Sequence, residues 1–219
     1  MRRERLPAML PPVIPIFPLP NVVLFPSVFL PLHIFEPRYR AMVRDALDGD
    51  RIVGITLLMP GWAAHEDRPP AVYQVGCAGL ITHAERLGDG RYNIVLQGIE
   101  KFRITGEEEG AEYRVARIEP LHEALTDAGR MRLRQERRRL EALLAPANEV
   151  GADAHLTGSM PDEDLVNALA QYLDLEPVER QALLERNGLL ARCLSLIDLI
   201  EMKTIVSERN WEGYGRIGS

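Results

Sequence analysis

Pro15, Pro18, Pro20, Pro26 and Pro31 punctuate VIPIFPLPNVVLFPSVFLPLHIF, an otherwise largely apolar run near the start of the chain. Proline lacks the N–H that a central strand uses, and its ring clashes inside a helix, so this run cannot be one long regular element. The spacing predicts short extended pieces joined by turns.

The next segment, EPRYRAMVRDALDG, changes period. Tyr39, Met42, Val43, Ala46 and Leu47 fall on one helical face, with Pro37 suited to the first turn and Gly49 to the stop, which predicts a helix over 37–48. From Arg51 to Leu121 four runs read as strands: RIVGITLLM, VGCAGLITHAERL, RYNIVLQGIEKFRIT and EYRVARIEPL. Gly88-Asp89-Gly90 marks a hairpin because these residues tolerate positive φ. Tyr92, Ile94 and Leu96 alternate with Asn93, Val95 and Gln97, as in a strand with one face more buried, and Gly98 interrupts the alternation where a bulge is expected. Antiparallel strands with one helix among them favour a small closed or nearly closed barrel over a βαβ sheet.

Beyond Pro120 the pattern is helical. TDAGRMRLRQERRRLEALLAP carries Leu133, Leu140 and Leu144 on roughly one face, and ANEVGADAHLTG is a connector. SMPDEDLVNALAQYL opens with Ser159 three residues before Asp162, a capping-box spacing, and places Leu165, Val166, Leu169 and Tyr172 together. Pro177 starts a further helix that ends near Asn187-Gly188, LLARCLSLIDLIEMKTIVSE forms the last and longest, and NWEGYGRIGS is a fraying tail. The expected division is a mainly β subdomain over 1–121 with one helix near 37–48, a helical subdomain over 122–209 and a flexible tail over 210–219.

Composition narrows the function classes. With 219 residues, 46% hydrophobic and 26% charged, the chain can bury a sizeable core, and a net charge of −6 gives no general attraction to nucleic acid or anionic lipid. Cys77 and Cys193 are the only cysteines and lie outside any C-x-x-C, which excludes a disulfide scaffold or cysteine-rich zinc site and fits a reducing cytoplasm. Prolines interrupt the N-terminal apolar stretch where a cleaved signal would need continuity, and no run approaches a membrane span. G-x-S-x-G, H-E-x-x-H and a P-loop are absent. Gly213-x-Gly215-x-x-Gly218 lacks the helix that a dinucleotide fingerprint requires after it. No metal and no cofactor is expected.

Several residues remain open to two readings. Glu107, Glu108 and Glu109 read as a solvated turn, and Asp162, Glu163 and Asp164 as partners of a helix dipole. Glu36 either accepts amides at the helix start or pairs with Arg38 or another buried cation. Residues 126–145 hold six arginines against three carboxylates, a charge of +3. That segment is a solvated helix face or a phosphate-contacting patch using Arg134, Arg137, Arg138 and Arg139. Trp62, in PGWAAHEDRPP, either folds back on the core or serves recognition.

IPIFPLPNVVLFPSVFLPLHIFEPRYRAMVRDAL resembles the opening of the N-terminal substrate-binding domain of Lon proteases, with its I-P-x-F-P-L block followed by V-V-x-F-P. H-I-F-E-x-R-Y-R is typical of stand-alone bacterial proteins of this kind. VGCAGLITHAERLGDGRYNIVLQGIEKFRI continues the likeness, and LVNALAQYLDLEPVERQALLERNGLLARCLSLIDLI resembles the helical half. The resemblance implies an α+β chain: a PUA-like β pseudo-barrel followed by a C-terminal α-helical bundle. It implies a non-catalytic module for unfolded or extended polypeptide, an adaptor in proteolysis or quality control alongside a separate protease or chaperone. The ATPase module and Ser-Lys protease module of full-length Lon have no counterpart here. The expected polypeptide-binding residues are Phe25, Phe29, His33, Glu36 and Trp62, although core filling is the competing role for the phenylalanines. RNA binding through the arginine segment is the alternative, since related PUA-like barrels bind RNA. The last long helix offers a contact for a homodimer.

Overall fold

The computed structural model describes residues 10–61, 69–144 and 160–214, with side chains described as far as residue 205. The described strands are β1 (Val13–Leu19), β2 (Phe29–Ile34), β3 (Ile52–Leu57), β4 (Val75–Arg86), β5 (Tyr92–Glu108) and β6 (Val115–Pro120). They form one sheet in the order β2-β5-β4-β3-β1-β6, and a further β5–β6 pairing closes five of them into a ring that leaves β2 outside. The ring is the expected barrel.

One pairing departs from the all-antiparallel expectation. β1 and β3 run parallel, with Ile16 opposite Gly54 and Leu19 opposite Leu57. Between them the chain passes through β2 and the helix α1 (Pro37–Asp48), supplying the crossover that parallel strands need. α1 has the expected limits, with Pro37 in its first turn and the Gly49 N–H bonded to the Asp45 and Ala46 carbonyls.

β5 makes closure feasible. Its first half pairs with β2, from Phe29 opposite Gln97 to Ile34 opposite Tyr92, and its second half pairs with β6, from Phe102 opposite Pro120 to Glu108 opposite Val115. Such a long strand must bend, and its register against β4 shifts where Ala78 faces Glu100 but Gly79 faces Gly98, leaving Ile99 as an extra residue. Gly98 lies against the turn before β2: it exchanges hydrogen bonds with Ser27 and Val28, each at 2.8 Å. A Cβ at Gly98 would lie 2.0 Å from the Phe25 carbonyl oxygen. The Gly88–Gly90 hairpin forms as expected, with Gly90 at φ +82°. Glu107 and Glu108 correct the solvated-turn expectation: both belong to β5 and pair with Ala116 and Val115, so β bridging extends past the last hydrophobic residue.

Inside the barrel, Ile14, Ile16, Phe102, Ile104, Ala116 and Ile118 form part of one buried cluster. Phe25 is fully buried, with a relative exposure of 0%. Burying a side chain of that size is worth about 2–3 kcal/mol relative to leaving it exposed.

The remaining described helices are α2 (Asp127–Leu144), α3 (Asp162–Tyr172), α4 (Pro177–Leu184) and α5 (Leu189–Tyr214). Contacts divide the chain into two compact units, one made of the chain up to His122 with Asn167–Glu185, the other of Glu123–Val166 with Arg186 onward. The first unit thus recruits a later helical stretch instead of ending near residue 121. Within it, Gln181 Nε2 donates to the Val75 carbonyl at 2.9 Å and the Phe25 N–H donates to Gln171 Oε1 at 3.2 Å.

In the second unit Leu133 and Leu140 of α2 and Leu189, Cys193, Leu196 and Ile197 of α5 are buried. Arg192, fully buried, holds both Glu123 carboxylate oxygens through Nη2 at 2.7 and 2.9 Å. α5 continues to Tyr214, into the segment read as a tail. Ser159 lies outside the described residues, and a capping contact appears instead at α4, where the Glu176 N–H donates to Glu179 Oε2 at 2.7 Å. Tyr172 corrects its expected place on the packed face: it is 67% exposed, because its hydroxyl reaches the Phe29 carbonyl at 2.9 Å.

Candidate functional site

A cleft of about 930 Å³ opens within the first unit. The end of β1 contributes Phe17, Pro18, Leu19 and Pro20, β2 contributes Leu32 and His33, and the entry to α1 contributes Phe35, Glu36, Arg38 and Tyr39. Leu58, Pro69, Pro70, the end of β5 with Glu107 and Glu108, and the β5–β6 connection as far as Arg114 complete the wall. Two of the prolines that break up the opening of the sequence, Pro18 and Pro20, therefore supply part of the apolar surface and bring no N–H groups to desolvate.

The apolar surface is built from packed rings. Phe17 and Tyr39 lie 4.2 Å apart between centroids, and the Arg38 guanidinium sits 4.5 Å from the centre of the Tyr39 ring. Burial pushes the Tyr39 phenol up from its ordinary range, against the opposing effect of Arg38. Arg114 fixes the opposite side, donating to the Pro70 carbonyl at 2.8 Å and gripping both carboxylate oxygens of Glu107.

His33 and Phe35 form an aromatic ledge, with rings stacked at 6.4 Å and 25°. Phe35 is 61% exposed. His33 is held from behind: Nδ1 meets Asn93 Oδ1 at 2.8 Å and Nε2 meets Arg91 Nη1 at 3.2 Å. A proton on Nδ1 satisfies both contacts, since the amide oxygen can only accept and the guanidinium can only donate. Glu36 resolves its two readings: its side chain does not cap α1 but pairs with Arg38 at 2.9 Å.

β2 borders the cleft as an edge strand, for among the described strands β5 is its only partner. The Val28 carbonyl faces β5, where it accepts from Gly98. Backbone direction alternates along a strand, so Leu30 and Leu32 also face β5 while Phe29, Pro31 and His33 face away. Proline at 31 removes a donor only on the open side, which is why this strand tolerates it. Tyr172 occupies the Phe29 carbonyl, leaving the Pro31–His33 stretch as the part of the edge nearest the cleft wall.

The residues singled out from sequence are therefore separated. His33 and Glu36 share the cleft, and Phe29, 50% exposed, lies on the same edge strand. Phe25 has no access to a ligand because it fills the core, and Trp62 lies outside the described residues. Sequence reasoning missed Tyr39, Arg114 and the glutamate-rich connection as parts of one site. The only signal was a run of three glutamates before Gly110 between two β patterns.

The arginine segment is largely committed within its own unit. Arg137 donates to Glu141 at 2.8 Å, the Met160 carbonyl at 2.6 Å and Asp162 at 2.7 Å, Arg139 contacts Glu201, and Arg134 lies 4.0 Å from Asp162. Arg138 is exposed. Among the described residues no helix is long and apolar enough to cross a membrane.

Comparison with known proteins gives a coherent result. Lon protease 2 of Myxococcus xanthus is 27% identical over 202 residues, covering 89% of this chain and 24% of its own length. Lon protease 2 of Syntrophobacter fumaroxidans is 30% identical over 181 residues, covering 80% and 22% respectively. The chain thus spans about a quarter of the length of the curated relatives it matches. The solved N-terminal domain of the Mycobacterium avium complex Lon protease superposes with a TM-score of 0.64 at 20% identity, covering 86% of this chain and 98% of its own. A Lon N-terminal domain protein from Xanthomonas campestris gives 0.54 at 24% identity, covering 83% and 94%. These two establish the fold. The family model for the ATP-dependent protease La (LON) substrate-binding domain matches residues 13–202, from β1 into α5, and the chain belongs to that family.

Proposed function

We propose that the protein is a non-catalytic recognition module that holds unfolded or extended polypeptide in the cleft beside β2. It acts in the cytoplasm as an adaptor, presenting that polypeptide to a separate protease or chaperone. The observation that carries this reading is the conjunction of an open strand edge, an exposed aromatic ledge and an apolar cleft on one unit. An extended client can hydrogen-bond to the Pro31–His33 edge and bury apolar side chains against Phe17, Leu32 and Phe35. Family membership supports the same reading, because the matched family is a substrate-binding domain.

Fluorescence anisotropy of a labelled, permanently unfolded polypeptide tests it, with structured RNA as competitor at two salt concentrations. Saturable binding that RNA leaves intact is expected. Absence of binding, or displacement by RNA that vanishes at higher salt, overturns it. The RNA alternative draws little support from an arginine segment whose Arg137 and Arg139 are already paired with carboxylates.

A further inference from the structure

We infer that the cleft selects basic clients: extended segments in which lysine or arginine flanks an apolar residue. This rests on the polypeptide reading above and names the chemistry of what that site takes. Among the described residues the wall carries Glu36, Glu107, Glu108, Glu109 and Glu112 against Arg38 and Arg114, five negative charges against two positive, or −3. Glu36 and Glu107 are matched within the wall by Arg38 and Arg114. Glu108 reaches Arg117 only at 3.5 Å with both side chains about half exposed, a pairing of small worth in water. Glu109 and Glu112 are exposed on the connection that lines the cleft.

Carboxylates concentrated at the mouth of a low-dielectric cleft repel one another and focus a negative field into it. A cationic side chain relieves that repulsion while its neighbour in the client enters the apolar part. The strand edge adds a requirement of its own, since main-chain pairing at Pro31–His33 needs an extended partner. The field distinguishes this occupant from a nucleic acid, whose phosphates it repels. A small metal ion fits poorly, as no three described His, Cys, Asp or Glu residues are grouped to hold one.

The test uses three labelled peptides with one apolar centre and flanks of lysine, glutamine or glutamate, titrated with the full chain at low and physiological salt. The lysine peptide is expected to bind about tenfold tighter than the glutamate peptide at low salt, with the gap narrowing as salt rises. In Glu109→Lys/Glu112→Lys the order should invert, and in Glu109→Gln/Glu112→Gln it should flatten, with circular dichroism unchanged because both positions are exposed. Equal affinity for all three, or a preference that survives charge reversal, overturns the selection for basic clients and leaves the polypeptide reading standing. Failure of all three to bind overturns both.

Discussion

Gly98 shows how closely a single residue is specified. Its missing side chain lets β5 pass the Phe25 carbonyl, and Gly98→Ala is expected to cost about 2–4 kcal/mol, read as a lower urea midpoint, because backbone must move to admit the methyl group. The interrupted alternation pointed to a bulge here, but nothing local indicated that Phe25 supplies the obstruction. Cys193 is a second case. Burial, then the nearby charges of Glu136 and Asp162, pushes its thiol up to about 11, so about one thiol in a thousand is ionised at pH 8. Native protein should resist alkylation at Cys193 and at buried Cys77, whereas denatured protein should label at both; equal rates in the two states would contradict this. At the hairpin, the Arg91 backbone N–H holds the Asp89 carboxyl below its ordinary range, helped by the Arg91 side chain and opposed by desolvation. A depressed carboxyl stabilises the fold above its unfolded-state value and loses that contribution as pH falls through the folded one. Asp89→Ala should therefore melt slightly below the parent protein at neutral pH and converge with it as pH falls below the ordinary aspartate range.

At the scale of elements, periodicity located α1 and the β runs after Arg51 well because each side chain pattern reflects the face that element buries, whereas the proline-rich opening that holds β1 and β2 showed only extended pieces. It could not reveal which strands would be neighbours. The parallel β1–β3 pair arises from the crossover through β2 and α1, and the double use of β5 depends on its curvature, which no single window of sequence encodes. The same limit explains the site. His33 and Glu36 were accessible to sequence reasoning through the family's opening block, but the Glu107–Arg114 wall lies some seventy residues away and is brought to the cleft by the pairing of β5 with β6, which itself pairs with β1. Phe29 and Phe35 present half or more of their surface to solvent, so exchanging either for aspartate should cost no more than about 1–2 kcal/mol of unfolding free energy. The same exchanges should weaken polypeptide binding at least about tenfold if exposed aromatics anchor the client. A stable variant with undiminished binding would remove those rings from the site.

The whole molecule divides differently from the two consecutive blocks expected from sequence. Asn167–Glu185 belongs with the barrel, where Gln171, Tyr172 and Gln181 hydrogen-bond to Phe25, Phe29 and Val75. Composition could show that the chain turns helical after Pro120, but not that part of the helical half would return to the first unit. A fragment ending at His122 should consequently unfold at lower urea than the barrel signal of the full chain, or fail to remain soluble; equal resistance would show that the later stretch is dispensable. The ring itself closes only when β6 reaches β1, placing Arg117 opposite Val13. A copy emerging from the ribosome has to wait until residue 185 is available before the barrel unit can be finished, roughly ten to thirty seconds after β1 is made at ordinary elongation rates. Until β3 is made, the apolar opening of a nascent copy has no strand to pair with, so each copy passes through the extended state that the proposed function has a completed copy hold.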